Sequence, residues 1–249
     1  MNVSFIIPCL NCENFIANTV LKLKKKLSKI KDINYEIIFI DDGSIDKTEE
    51  ILKKYTSKKI RVLKNAQNLG KSASLIRGIK ASKKSKIVII DCDLPYFSYL
   101  HLILKNLKND SFTYINRKSP KSKLRNKNLN LYQISRFFIG RIICFLLSLF
   151  FFNDKIGDTQ AGLKAFPKPK NFKNIRFISK KFFLDAELMI LFYRTKKEMV
   201  SIPVSYKIYS KSTIKILSFE NFVYLYELFK IIIFYKFINT KNLNFNSIA

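Results

Sequence analysis

Short apolar runs separated by helix-length segments set the frame of this chain: "VSFIIP", "YEIIFIDDGS" and "KIVIIDCDLP" are bounded by proline, glycine or acid and are too short for buried helices. Runs of this kind suit strands that are covered on both faces. Between the first two, Ile16, Val20, Leu23 and Leu27 recur at helical spacing; further helices are expected at 48–55, 68–82 and 98–107, and a short strand at 60–64. The alternation predicts an α/β fold, a mostly parallel sheet with helices on both faces joined by right-handed crossovers. A chain of 249 residues accommodates one such domain plus an appendage, and it contains no internal repeat.

The acid sits at the carboxyl ends of these strands. Asp41 and Asp42 close the second, and Asp91 and Asp93 close the fourth. Residues two apart on a strand point to the same side, so Asp91 and Asp93 converge just past the strand end. In open parallel sheets ligands bind beyond that edge. The pair therefore either holds a cation or forms a solvated turn.

Past residue 111 the pattern changes. "FTYINRKS" gives one more strand, residues 118–130 form a polar basic loop, and residues 137–152 and 222–238 are apolar helices. Arg141 interrupts the first helix; Glu227, Lys230 and Lys236 interrupt the second. Neither is an unbroken run of about 20 apolar residues, and such faces suit a core helix or a helix lying in a membrane interface. Forty-six Lys and Arg against 18 Asp and Glu give a net charge of +28, which favours anionic partners such as acidic lipid headgroups or phosphorylated substrates. No aromatic-basic recognition motif supports nucleic acid. Cys9 and Cys12 form a C-x-x-C, but Cys92 and Cys144 are too widely spaced in sequence to supply the second pair of a metal site. The opening residues enter a strand pattern without a basic leader, so a reducing cytoplasm is expected.

Taken in order, "IIPCLNCENFI", "IIFIDDGSIDKT", "NLGKSASLIRGI", "VIIDCDLP", the Arg of "INRK" and "RFFIGR…GDTQAGLKAF" resemble the inverting family-2 glycosyltransferases, whose nucleotide-sugar-binding domain is the Rossmann-like GT-A type. Within that family the similarity is to enzymes that move a sugar onto a polyprenyl phosphate, the dolichyl-phosphate mannosyl- and glucosyltransferases and their bacterial relatives. It spans residues 3–215. The resemblance implies transfer from a GDP- or UDP-sugar to a dolichyl or undecaprenyl phosphate, with Mg²⁺ or Mn²⁺ held on the donor diphosphate by Asp91 and Asp93. It implies that Asp42, with Asp41, reads the base and ribose, that Pro8, Asn11 and Glu13 shape the base pocket, and that Gly70 and Lys71 pass near the nucleotide. Arg117 and Arg136 would hold phosphates of donor or acceptor. Asp158 opens the family's D-x-x-x-G motif near the acceptor, as a base or an orienting group. Gln160 and Lys164 would contact the acceptor or shape that loop, and Asp185 and Glu187 lie on a helix beside the site.

Three departures matter, the first being that the acid of the first loop stands at Glu13 rather than directly after Asn11. Leu10 replaces a Tyr that packs on the base, and Pro95 replaces a polar residue of the metal shell, leaving two protein carboxylates and a shell completed by the donor. The resemblance further implies a transferase domain over 1–215, divided at 115 into donor and acceptor halves, and an amphipathic helix and tail over 216–249. This places the protein on the cytoplasmic side, peripheral on the inner or endoplasmic reticulum membrane face, with a membrane-protein partner in reserve. The alternatives are a different acceptor, such as a cell-surface polysaccharide or glycolipid, and a non-enzymatic basic peripheral membrane protein. A haloacid-type phosphatase also carries D-x-D after a strand, but Pro95 and the upstream DDGS do not fit it.

Overall fold

A strand at the centre of a covered sheet needs apolar side chains on both faces, and β1 (Asn2–Cys9) has them: Val3, Phe5 and Ile7 point one way and Ile6 the other. The computed structural model describes residues 1–152, 157–208 and 219–237. Helix α1 (Ile16–Leu27) covers the first face with Ile16, Val20, Leu23 and Leu27, each at most 1% exposed. Strand β2 (Asn34–Asp41) pairs in parallel with β1, from Asn2 opposite Asn34 to Cys9 opposite Asp41. Helix α2 (Thr48–Lys53) then leads to β3 (Ile60–Lys64), which lies outside β2. Helix α3 (Lys71–Ala81) crosses the opposite face and delivers β4 (Lys86–Ile90) to the free side of β1.

Helix α4 (Leu100–Leu107) returns the chain to the first face before β5 (Phe112–Asn116). The polar stretch that follows contains a two-residue strand, β6 (Lys123–Leu124). Asn130 and Gln133 form a capping box that starts α5 (Leu131–Leu147), and the helix runs on as a π-helical turn, Ser148–Phe152. It begins earlier than the apolar pattern alone indicates because the cap lies in the polar loop. The continuous helix Leu131–Phe152 contains an 18-residue window of mean hydropathy 1.9, 24% of it buried, and is long and apolar enough to cross a membrane. Arg141 therefore interrupts the run without removing its apolar character.

Strand β7 (Leu163–Pro167), helix α6 (Leu184–Arg194), strand β8 (Met199–Pro203), the short β9 (Ser205–Tyr206) beside β6, and helix α7 (Phe219–Phe237) complete the order. The main sheet reads β3-β2-β1-β4-β7-β5-β8. Every pairing in it is parallel except those of β7, which runs antiparallel to both β4 and β5. Since Leu163 lies opposite Ile90, the residues just before β7 arrive at the edge where β4 ends. Helix α7 sends Leu228, Ile231 and Tyr235 into the core shared by α3 and α6. The expected boundary at 215 and the tail beyond 237 lie outside the described residues.

Phe112 ties β5 to β7 and α6, with ring centroids 5.5 Å from Phe166 and 5.0 Å from Phe192, and it is fully buried. Truncation to Ala removes an aromatic ring from a close-packed layer, so Phe112→Ala is expected to cost about 3–5 kcal/mol and Phe112→Leu markedly less. Denaturant unfolding midpoints check this.

Candidate active site

The β2 carboxylates do two separate jobs. Asp42 is buried and accepts hydrogen bonds from Asn65 Nδ2 at 2.7 Å, Leu69 N–H at 3.0 Å and Gly70 N–H at 2.9 Å. Both of its oxygens thus accept bonds from the turn that launches α3, and Oδ2, with one of them, keeps a second acceptor site. Gly70 has φ +103°, and a Cβ there would lie 2.7 Å from Lys181 Cα, so only glycine fits. Asp41 is fully buried; its Oδ1 accepts from Ser44 N–H at 3.0 Å, while its Oδ2 has no partner among the described residues. An unmatched buried carboxylate oxygen is costly, and a donor supplied by a ligand would relieve it.

The first loop is lashed to the second. Asn11 donates from its backbone to Ser44 Oγ at 3.0 Å and accepts from Ile45 N–H at 3.0 Å, while Glu13 accepts from Lys47 N–H at 3.0 Å. These side chains hold the rim in shape from behind. Pro8 is half-buried near the end of β1.

Asp91 is the hub of the rim. Its N–H donates to Gly162 O at 2.9 Å, its Oδ1 lies 2.6 Å from Lys71 Nζ, and its Oδ2 rests where a Cβ on Gly162 would come within 2.0 Å. Any larger residue at 162 would displace the carboxylate. Lys71 also lies 3.8 Å from Asp185 Oδ2, and Asp185 Oδ1 is 3.2 Å from Nζ of the fully buried Lys164. Lys164 donates in addition to Ala161 O. The result is a row of alternating charge, Lys164–Asp185–Lys71–Asp91, buried at the Lys164–Asp185 end and partly exposed at Lys71 and Asp91. Burial disfavours the Lys71 charge, but Asp91 and Asp185 outweigh it and hold its pKa above the ordinary range.

Asp93 differs. Burial and then the Asp91 charge push its pKa up, and it forms no ion pair among the described residues. Two neighbouring carboxylates with incomplete compensation fit a divalent cation. No cluster of three or more His, Cys, Asp or Glu side chains suited to a metal occurs among the described residues, so the carboxylates available to such an ion there are these two. The fold also brings Cys92 to Cys12, Sγ to Sγ at 3.2 Å, a pairing hidden by their sequence separation, while Cys144 lies by Thr159.

Arg117 and Asp158 form one unit. Arg117 Nε is 2.6 Å from Asp158 Oδ2 and its Nη2 is 2.9 Å from Oδ1, and the Arg117 and Gln160 amides add bonds at 3.0 and 3.1 Å. Asp158 is fully buried, which opposes ionisation, but the Arg117 charge and hydrogen bonds prevail and hold its pKa well below the usual carboxylate range. A carboxylate so held is a poor proton acceptor near neutral pH, which favours an orienting role over a base. In this state the fork of Arg117 is spent on Asp158; its side chain remains 30% exposed at the rim. Arg136 lies on α5, and its side chain is outside the described residues.

Glu187 accepts from Ile178 and Ser179 N–H and from Tyr235 Oη–H at 2.7 Å, which makes it a clamp of the chain before α6. Glu227, an acid within the apolar stretch of α7, accepts from residues 179–182. An acid flanked by apolar residues is the sequence signal for such a buried role.

Removing the Asp158 charge strands Arg117, so Asp158→Asn is expected to destabilise the fold by about 3–5 kcal/mol in denaturant titrations at neutral pH. Because its pKa is lower folded than unfolded, the wild-type contribution is complete above the usual carboxylate range. It is lost as the pH falls through and below that range, and the penalty of Asp158→Asn shrinks with it.

The sequence profile described as Glycosyl transferase family 2 matches residues 4–178. A dolichyl-phosphate beta-glucosyltransferase of Trichomonas vaginalis is 27% identical over 230 residues, covering 86% of this chain and 66% of the relative. That of Drosophila melanogaster is 26% identical over 82% of this chain and 66% of its own length. A dolichol-phosphate mannosyltransferase of Pyrococcus furiosus is 32% identical over 97 residues, 39% of this chain and 27% of the relative. The chain thus spans 66% of the length of both glucosyltransferases. Among solved structures, glucosyl-3-phosphoglycerate synthase from Mycobacterium tuberculosis, in complex with Mn²⁺, UDP and phosphoglyceric acid, superposes with a TM-score of 0.65 at 17% identity, over 94% of this chain and 78% of that one. This is a likeness of fold, and it matches the GT-A expectation. With the profile covering more than half its length, the chain belongs to glycosyl transferase family 2.

Proposed function

We propose that the chain transfers a sugar from a nucleoside diphosphate sugar to a polyprenyl phosphate at a membrane surface, with inversion. The observation that carries this reading is the convergence, at one edge of the sheet, of the Asp91–Asp93 pair, Lys71 and the partnerless oxygen of Asp41. Asp41 Oδ2, covered in the free protein, accepts a hydrogen bond from the base or ribose once nucleotide binding shifts the loops that cover it. Lys71 supplies a positive charge to the diphosphate. Asp91 and Asp93 hold the Mg²⁺ or Mn²⁺ that would neutralise charge on the leaving diphosphate. Arg117, positioned by Asp158, faces the phosphate of the acceptor. A prenyl phosphate is already ionised near neutral pH, so its oxygen attacks the anomeric carbon opposite the diphosphate without a base. This agrees with the committed state of Asp158.

The lipid acceptor is favoured by the surface beside the site. Phe138, Ile142 and Phe145 on α5 and Phe222, Leu225 and Phe229 on α7 are each more than half exposed. Such aromatic-rich faces on a chain of net charge +28 suit an anionic bilayer, each basic residue near the surface adding about 1 kcal/mol. The relatives named for dolichyl-phosphate transfer support the same acceptor class.

Incubation with UDP- and GDP-sugars, against a short polyprenyl phosphate in vesicles and against phosphoglycerate in solution, separates the acceptors. Lipid-linked sugar is expected, with turnover lost by about 10²-fold or more in Asp93→Ala at unchanged stability. Product on phosphoglycerate alone, or full turnover in Asp93→Ala, contradicts the proposal. Phe138→Ser combined with Phe229→Ser is expected to weaken cosedimentation with anionic vesicles at least tenfold while leaving soluble nucleotide binding intact.

A further inference from the structure

Glu227 is a buried acid on α7 that forms no ion pair with Lys or Arg among the described residues. Its charge is met by four hydrogen-bond donors of one short segment. Lys180 and Lys181 N–H donate to Oε1 at 2.6 and 2.8 Å, and Phe182 N–H and Ser179 Oγ–H donate to Oε2, both at 2.9 Å. Three consecutive amides aimed at one carboxylate form an anion-binding nest, and α7 fills it from a distant part of the sequence.

The same peptide units face α3 with their carbonyls. Ser72 N–H donates to Lys181 O at 3.1 Å and Ala73 N–H to Lys180 O at 2.9 Å, which satisfies amides that the first turn of a helix leaves unpaired. Ser72 Oγ adds a contact of 2.8 Å with Ser179 Oγ and accepts from Leu184 N–H at 3.0 Å. Lys181 Cα also packs on Gly70 so closely that no Cβ fits there. The residue between Gly70 and Ser72 is Lys71, whose ammonium meets Asp91.

We propose that Glu227 is a positioning residue for the donor site. By fixing the amides of 180–182 it fixes their carbonyls on the α3 N-terminus, and so the placement of Lys71 against the Asp91 rim. On this account α7 is part of the donor site rather than only a surface helix. The inference rests on the proposed donor reading for its kinetic consequence; the mechanical link itself does not.

Two readouts test it on Glu227→Ala, with Glu227→Gln as the conservative variant and Leu228→Ala as a control that loosens α7 without touching the nest. Leu228 is buried in the α7 core contact. Hydrogen exchange without nucleotide is expected to be at least tenfold faster at the amides of 180–182 and at the first turn of α3 in Glu227→Ala. The donor KM rises about tenfold with kcat within twofold, Glu227→Gln lies between, and Leu228→Ala leaves KM unchanged. Unaltered exchange at 180–182 and α3 overturns the link. Faster exchange with unchanged KM, or the same KM shift in Leu228→Ala, overturns the positioning role. If the wild type turns over no nucleotide sugar, the donor reading fails, and the exchange result still decides the link.

Discussion

The strand that runs against the others governs this structure. A parallel sheet brings only the ends of its strands to the ligand edge, but β7, antiparallel between β4 and β5, begins there. Its lead-in, Asp158 to Gly162, therefore meets the lead-out of β4, Asp91 to Asp93. Two stretches some seventy residues apart in sequence become one wall, joined by the Asp91 N–H on Gly162 O at 2.9 Å. Gly162 is the condition for it, because a Cβ would occupy the place of the Asp91 carboxylate.

Around that wall the charges are arranged for a ligand that is itself charged. Lys164, Asp185, Lys71 and Asp91 alternate in sign and offset one another's charge in a row that runs from the buried Lys164 out to the rim. Asp93, with its pKa raised by burial and by Asp91, and Asp41, with one oxygen partnerless, are under-compensated at the ends of their strands. A cation bearing a diphosphate and a nucleoside bearing donors would meet those needs. Asp42, Asn11 and Glu13 keep the edge rigid by spending their side chains on neighbouring loops. Rigid placement of this kind lowers the ordering cost of binding.

Much of the first half was legible because its signals are local. Apolar runs, helical spacing and acids at strand ends need no distant partner, and β1 to β4 with α1 to α4 follow them. Directions and long-range partners are different. Residues 161–167 read as apolar without any mark that the strand would run backwards, and the bidentate Arg117–Asp158 pair joins positions 41 apart. Asp42 ends a strand, which is legible, but its tie to the turn at Asn65 to Gly70, more than twenty residues on, is not. Cys92 was set aside by spacing, and folding across β1 and β4 brought it to Cys12. Sequence spacing reports neighbours along an element, not across a sheet.

The central claim is that the carboxylate edge is a nucleotide-sugar site completed jointly by a metal and the donor. Calorimetric titration of Mn²⁺ and of UDP or GDP, each alone and together, tests it most directly. With only two protein carboxylates to hold the ion, Mn²⁺ alone is expected to bind weakly, and each partner to tighten the other by the same factor. Nucleoside diphosphate binding that is equally tight with and without chelator would contradict the account.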